Sequence, residues 1–224
     1  MAEQTRLQSA PAPNLPIAPT QYNPQHYDIL NNALRLYFNR LDQNLTALFS
    51  NNGGKYLNAP YVTTYSLADQ YATNDNTATQ VLWDPTKGIV NGFDLTTGKA
   101  VAQQSGVYKV EYSIQLANND TSSQRVAYFW FKTTRNGVTA NEPDSASKFT
   151  LEKAAAHNAF VVAYSFLFVE LTAGDSIELW WQTDKAANGG ATKGVFIEYE
   201  AAASNYPNVP SSLGSITFVS APQA

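Results

Sequence analysis

The sequence predicts a mainly β chain, an antiparallel sandwich or barrel preceded by an extended arm and one α-helix. Three observations carry that expectation. From Tyr56 onward apolar residues alternate with polar ones, and turn signals recur about every 8 to 15 residues, the pattern of an all-β domain. Before that point one stretch has apolar residues at spacings of 3 and 4, the period of a helix face. Before the helix, Pro11, Pro13, Pro16 and Pro19 alternate with small residues, and each fixes φ and removes a backbone donor.

Taken in order, residues 1–22 form the Pro-rich arm. Composition alone allows a disordered tail. An arm with no core of its own becomes ordered when it lies along a partner, so an anchoring role is favoured. Leu15 and Ile17 are its apolar pegs, and Pro13 and Pro16 stiffen the backbone on either side.

Residues 23–52 read as an amphipathic helix. Asn23 is a preferred N-cap, Pro24 suits the first helical position, and Asn51-Asn52-Gly53-Gly54 is a stop signal. Tyr27, Leu30, Leu34, Tyr37, Leu41, Leu45 and Leu48 line one side. Two readings stand: a helix packed on its own domain, or a short parallel coiled coil between identical chains with Leu34, Tyr37 and Leu41 in the seam. Asn44 occupies a seam position, so the heptad is expected to slip there.

Residues 56–224 form the β domain. Strands are expected near 61–65, 79–83, 99–102, 106–117, 125–133, 160–171, 175–182, 195–201 and 215–220. Asn136-Gly137 favours a type I′ hairpin turn. Two strands are apolar on both faces: Val126-Ala127-Tyr128-Phe129-Trp130-Phe131 and the uncharged run from Phe160 to Val169. One face of an antiparallel sheet normally meets water. A second apolar face therefore calls for cover by a loop or the helix, or by another subunit. Tyr128, Trp130, Tyr164, Phe166 and Phe168 are accordingly the candidate contact residues between copies.

Composition narrows the function. The chain has 224 residues, no Cys, 2 His and a net charge of −4. Without Cys there is no disulfide framework, thiolate metal site or catalytic thiol. With 14 Lys+Arg against 18 Asp+Glu, a nucleic-acid partner is not expected. No apolar run reaches the roughly 20 residues that span a bilayer, so membrane insertion is not expected either. Met1 to Ala10 lacks the basic-then-apolar layout of a signal peptide.

His26 and His157 neighbour no recognisable nucleophile motif. Glu170, Glu178, Glu198 and Glu200 fall on expected strands, where a solvent face or an ion pair is the simplest role. Asn118-Asn119-Asp120 and Asn74-Asp75-Asn76 offer oxygen ligands for calcium, but such clusters mark turns more often. No catalytic residue, cofactor or resident metal is expected. Trp180 and Trp181, being adjacent, point to opposite faces. One belongs to the core and the other to a subunit contact or a sugar-stacking surface, for which the loops at 136–148 and 184–193 are suitable places.

The residues also carry a resemblance. Gly92-Phe93-Asp94-Leu95 followed by Ser105-Gly106-Val107-Tyr108-Lys109-Val110-Glu111-Tyr112 resembles a signature of C1q/TNF-like jelly rolls. Leu171-Thr172-Ala173-Gly174-Asp175-Ser176-Ile177-Glu178-Leu179 is similar to that family's turn into its penultimate strands. Val195 to Tyr199 and Ile216 to Val219 resemble its last strands. The likeness covers about residues 60–220 and implies a ten-stranded jelly roll that assembles as a homotrimer through aromatic faces of inner strands. The chain as a whole resembles a type of short virion protein of tailed phages, particularly those of marine bacteria. That resemblance rests on Ala12-Pro13-Asn14-Leu15-Pro16, on the helix Leu30-Asn31-Asn32-Ala33-Leu34-Arg35-Leu36-Tyr37-Phe38-Asn39-Arg40-Leu41-Asp42, and on the ending Thr217-Phe218-Val219-Ser220-Ala221. It implies a structural protein on the exterior of the virion, a fibre or capsid decoration, held to another virion protein by residues 1–22. The alternative is a module that attaches to a host-surface glycan, and a glycan-degrading enzyme is the third reading.

Overall fold

The computed structural model describes residues 10–17, 19–49, 59–190 and 192–221. The chain divides into two compact units, Met1–Asn58 and Ala59–Ala224. The first holds the arm and helix α1 (Pro24–Phe49). Asn23 caps the helix as its sequence requires, its Oδ1 accepting from the Gln25 N–H at 3.0 Å. The expected stop at Asn51-Asn52-Gly53-Gly54 and residues 1–9 of the arm lie outside the described residues.

The second unit is a sandwich of two antiparallel sheets. In chain order its strands are β1 (Tyr61–Ser66), β2 (Thr79–Gln80), β3 (Ile89–Asn91), β4 (Phe93–Thr96), β5 (Lys99–Ala102), β6 (Gly106–Asn118) and β7 (Arg125–Arg135). They continue with β8 (Val138–Asn141), β9 (Ser147–Leu151), β10 (Ala159–Leu171), β11 (Ser176–Thr183), β12 (Val195–Ile197) and β13 (Ser212–Ser220). The first sheet runs β10-β6-β13-β1-β3 and the second β4-β5-β11-β7-β8. The chain passes from one sheet to the other at each of the long strands, and that alternation is a jelly roll.

Thirteen described strands stand where ten were expected, because three short ones share an edge with a longer neighbour. β12 continues along β6 beyond β13, β2 along β11 beyond β5, and β9 along β7 beyond β8. Two expected strands are shorter than their apolar runs. The first stops at Gln80, after which Val81 and Trp83 turn into the core. The other stops at Ile197, where the Glu198 N–H donates to the Gln115 carbonyl at 2.9 Å. The segment expected as a loop at 136–148 is largely a hairpin: Asn136 and Gly137 take φ of 51° and 78°, a type I′ turn, and Arg135 pairs with Val138.

The core lies between the sheets and is aromatic. β6, β7 and β11 alternate strictly between buried and partly covered residues along most of their length. This sends Tyr108, Tyr112, Ile114, Phe129, Phe131, Leu179 and Trp181 inward, all fully buried. Trp181 stacks on Phe129, with ring centroids 6.0 Å apart and planes 12° from parallel. Trp180, one residue earlier, faces outward, as the pleat demands.

Candidate functional site

β10 lies at the edge of the first sheet and sends alternate residues to its two faces. Ala163, Val169 and Leu171 are buried in the core. On the outer face Phe160, Val162, Tyr164, Phe166 and Phe168 stand in one row, each between 51% and 60% exposed. The row continues across the sheet by register. Tyr164 faces Ser113 on β6, which faces Leu213 on β13, which faces Tyr65 on β1. Phe168 leads in the same way through Lys109 and Thr217 to Tyr61. Leu213, Tyr61 and Val219 are themselves exposed, so apolar side chains recur on the same face beyond the polar Ser113, Lys109 and Thr217.

Its centre is polar but internally satisfied. Lys109 donates to Glu111, and the Tyr164 hydroxyl donates to Glu111 Oε2 at 3.0 Å. The Lys109 ammonium also lies 5.3 Å from the centre of the Phe166 ring. The bond from Lys109 holds the Glu111 carboxyl below the usual carboxylate range, while the bond to Glu111 pushes the Tyr164 hydroxyl up. Charge here is paired within one chain, so the face can meet another surface without stranding an ion. Lys109 and Glu111 were not singled out from sequence. The signal available was their parity: alternate β6 positions share the face of Phe166 and Phe168.

Tyr128 and Trp130, expected beside these residues, lie elsewhere. They project from β7 on the outer face of the second sheet, the opposite side of the sandwich. Across that face Trp130 faces Trp180 and Tyr128 faces Gln182 on β11. The Trp130 indole N–H donates to Asn141 Oδ1 at 3.0 Å, and the Trp180 N–H donates to Glu178 Oε2 at 2.9 Å. Lys132 sits 3.6 Å over the Trp180 ring. Both faces of β7 are apolar, as its sequence indicates, but its outer face is partly covered by neighbours from β8, β9 and β11. Of the five contact candidates in the β domain, Tyr164, Phe166 and Phe168 share a surface; Tyr128 and Trp130 form a second one.

In the first unit Leu30, Leu34, Tyr37, Leu41, Asn44 and Leu48 are the half-covered positions of α1, together with His26, Ala33 and Ala47. Their main line steps 4-3-4-3-4 and runs through Asn44. Leu45 is 41% exposed and off that line. Arm residues Pro11, Pro13 and Asn14 share a cavity of about 250 Å³ with Leu36, Tyr37 and Arg40 of the helix. Pro13 and Pro16 are half-buried, whereas Leu15 and Ile17 are 44% and 94% exposed.

The remaining sequence candidates are absorbed by structure. Asn118 donates to the carbonyls of Ser123 and Glu152 and accepts from Asp120 N–H, Asn119 accepts from Gly194 N–H, and Asp120 is paired with Ser122 and Arg125. Asp75 accepts from Ala186 N–H and Lys185 Nζ, each at 2.9 Å. These oxygens close turns. The hollow of 184–193 beside Asn74 and Asp75 carries no aromatic ring. His26 meets Tyr27 edge-on at 5.7 Å, and His157 is exposed between β9 and β10. Glu170 is exposed at the end of β10, Glu178 lies 3.8 Å from Lys99, and Glu200 accepts from Tyr206. Burial, together with the charge of Asp69, pushes the Glu198 carboxyl up. Among the described residues no three His, Asp or Glu side chains stand together as metal ligands, and no helix is long and apolar enough to cross a membrane.

No family model matches the sequence, and no curated protein matches it. Solved structures similar to the chain include two crystal structures of murine APRIL. The one at pH 5.0 has a TM-score of 0.44 and 14% identity, and the match covers 71% of this chain and 99% of that one. The one at pH 8.5 has a TM-score of 0.39 and 16% identity, covering 71% of this chain and 98% of that one. What makes the β domain a jelly roll is its own strand order and register.

Proposed function

We propose that the chain is a homotrimeric structural module that displays its jelly roll on a larger particle and works by assembly rather than by chemistry. In this reading three jelly rolls meet through the outer face of β10, the α1 seam joins three copies, and residues 1–22 hold the assembly to another protein. The resemblance of the arm and helix to tailed-phage virion proteins supports a place on the outside of a virion, as a fibre or a capsid decoration.

The observation that carries the proposal is the row Phe160, Val162, Tyr164, Phe166 and Phe168, each at least half exposed. A contiguous apolar surface of this size on a sheet face marks an association site. A second copy of the same chain supplies a surface of matching chemistry, because the Lys109–Glu111 pair is neutral overall and already satisfied. Three arms on one trimer act together, so that anchors too weak singly hold by avidity.

Deleting residues 1–22 tests the division of labour. The truncated chain is expected to stay trimeric, at three times its own single-chain mass, while losing incorporation into the particle. A truncated chain that still decorates particles contradicts the anchoring role.

A further inference from the structure

We infer that the outer face of the second sheet carries a binding site for a neutral saccharide, with the rings of Tyr128 and Trp130 as its floor. The site is separate from the β10 face, and its existence does not depend on trimer formation.

The site is a shallow cavity of about 320 Å³ on β7, rimmed by the β8–β9 connection on one side and by β11 on the other. That volume lies at the lower end of the range for small-ligand sites and suits one or two sugar rings. Two aromatic residues two positions apart on one strand face present adjacent flat apolar surfaces, and the C–H faces of a pyranose chain are flat and apolar at a similar repeat. Trp130 is held in place by the bond from its indole N–H to Asn141 Oδ1, so its plane is set before any ligand arrives. Tyr128 is set by its cross-strand neighbours Gln182 and Lys148.

The rim supplies what hydroxyl groups need. Gln182 lines the cavity on the β11 side, and its side-chain amide makes no hydrogen bond to any described residue. The same holds for the Asp144 carboxylate on the opposite side. Asn141 spends its Oδ1 on Trp130 and keeps both Nδ2 protons. Amide donors, an amide acceptor and a carboxylate around an aromatic floor match vicinal hydroxyls, each of which both donates and accepts.

Charge selects against the other ligands that aromatic floors attract. A cation, quaternary ammonium included, would meet Lys148, whose ammonium already lies 5.9 Å from the centre of the Tyr128 ring. A uronate or other anionic sugar would meet Asp144 and Glu142, which line the same cavity. Glu142 is paired with Arg135 at 3.0 Å, which leaves one carboxylate, Asp144, and one ammonium, Lys148, beside the floor, so an ion of either sign gains no net attraction to offset its lost hydration. A neutral polyol meets neither penalty.

The test is a printed array of neutral glucans, mannans and galactans with polyuronates and choline conjugates alongside, probed with the full chain. Affinity for whichever neutral oligosaccharide is retained is then measured by tryptophan fluorescence. Retention of at least one neutral glycan is expected, weakened about tenfold or more by Trp130→Ala through loss of the stacking surface. Gln182→Ala and Asp144→Asn should each weaken it severalfold and still fold, since both side chains reach solvent. Phe166→Ala with Phe168→Ala should leave it unchanged, which separates this site from the assembly face. The inference is overturned if no neutral glycan is retained, if only polyuronates or choline are retained, or if the Trp130, Gln182 and Asp144 variants bind as the parent does. Loss of self-association in Trp130→Ala with glycan binding intact would likewise overturn it, by making this face a contact between copies.

Discussion

Replacing Phe166 and Phe168 together by Ala removes two of the three successive aromatic rings on the outer face of β10. They are 51% and 55% exposed in the single chain. An aromatic side chain buries about 150–250 Å² when fully covered, with Phe at the lower end, so each has roughly 80 Å² left to hide. At about 25 cal/mol per Å² that surface stabilises a contact by about 2 kcal/mol per ring, or about 4 kcal/mol for the pair. Each contact between protomers should therefore weaken on the order of 10³-fold. Ordering costs reduce the absolute affinity but largely cancel in the comparison of variant with parent.

The fold itself should hardly notice. Both side chains point away from the core, and exposed substitutions of this kind stay within about 0.5 kcal/mol. Sedimentation velocity over two decades of micromolar concentration reads the result: the parent keeps its assembled mass and the double variant falls to the single-chain mass, with an unchanged circular dichroism spectrum. A double variant that sediments like the parent at every concentration would show that the β10 face contributes nothing to association.

Four further substitutions have outcomes set by the same structure. Gly88 has φ of 93°, and a Cβ there would lie 1.8 Å from the Thr63 carbonyl oxygen; Gly88→Ala should cost about 2 kcal/mol or more in thermal unfolding. Gly137, with φ of 78° but nothing within 4 Å of its absent Cβ, should cost about 1 kcal/mol on the same change, from the backbone alone. Asp120 is held well below the usual carboxylate range by the Ser122 hydroxyl and N–H and by Arg125. A folded value below the unfolded one means that its stabilisation is complete above about pH 4 and is lost as pH falls through the folded value. Asp120→Asn should thus melt lower than the parent at neutral pH, with the gap closing progressively below about pH 4; a gap constant with pH contradicts this. Leu34→Ala with Leu41→Ala should weaken self-association about tenfold or more if the α1 seam joins copies, measured by the same sedimentation series.

The long strands were legible because alternation and length coincide in them. β6, β7, β10 and β11 each begin or end within two residues of the expected bounds, since a strand buried on one face advertises its period. β8 was not, and the reason is local. Val138-Thr139-Ala140-Asn141 is exposed throughout, so no apolar period marks it, although the Asn136-Gly137 turn that forces it to pair with β7 is plain. β3 and β4 were missed for a related reason, being three and four residues long.

The candidate surfaces divide along the same line. Parity along β10 correctly puts Tyr164, Phe166 and Phe168 together. Parity along β7 puts Tyr128 with Trp130, but no pattern within a strand says which sheet it joins. That Tyr128 and Trp130 stand on the far side of the sandwich depends on β7 pairing with β11 and β10 with β6, a matter of long-range register. Asn141 and Gln182 escaped notice because single amides look unremarkable until the fold brings Asn141 to the Trp130 ring and Gln182 beside Tyr128.

A homotrimer joined through the outer face of β10, as proposed, has a definite native mass, and that mass is the decisive measurement. Sedimentation equilibrium of the full-length chain should return three times the single-chain mass down to low micromolar concentration. A single-chain mass throughout would mean that the β10 aromatics stay in water and that the chain is not a trimer.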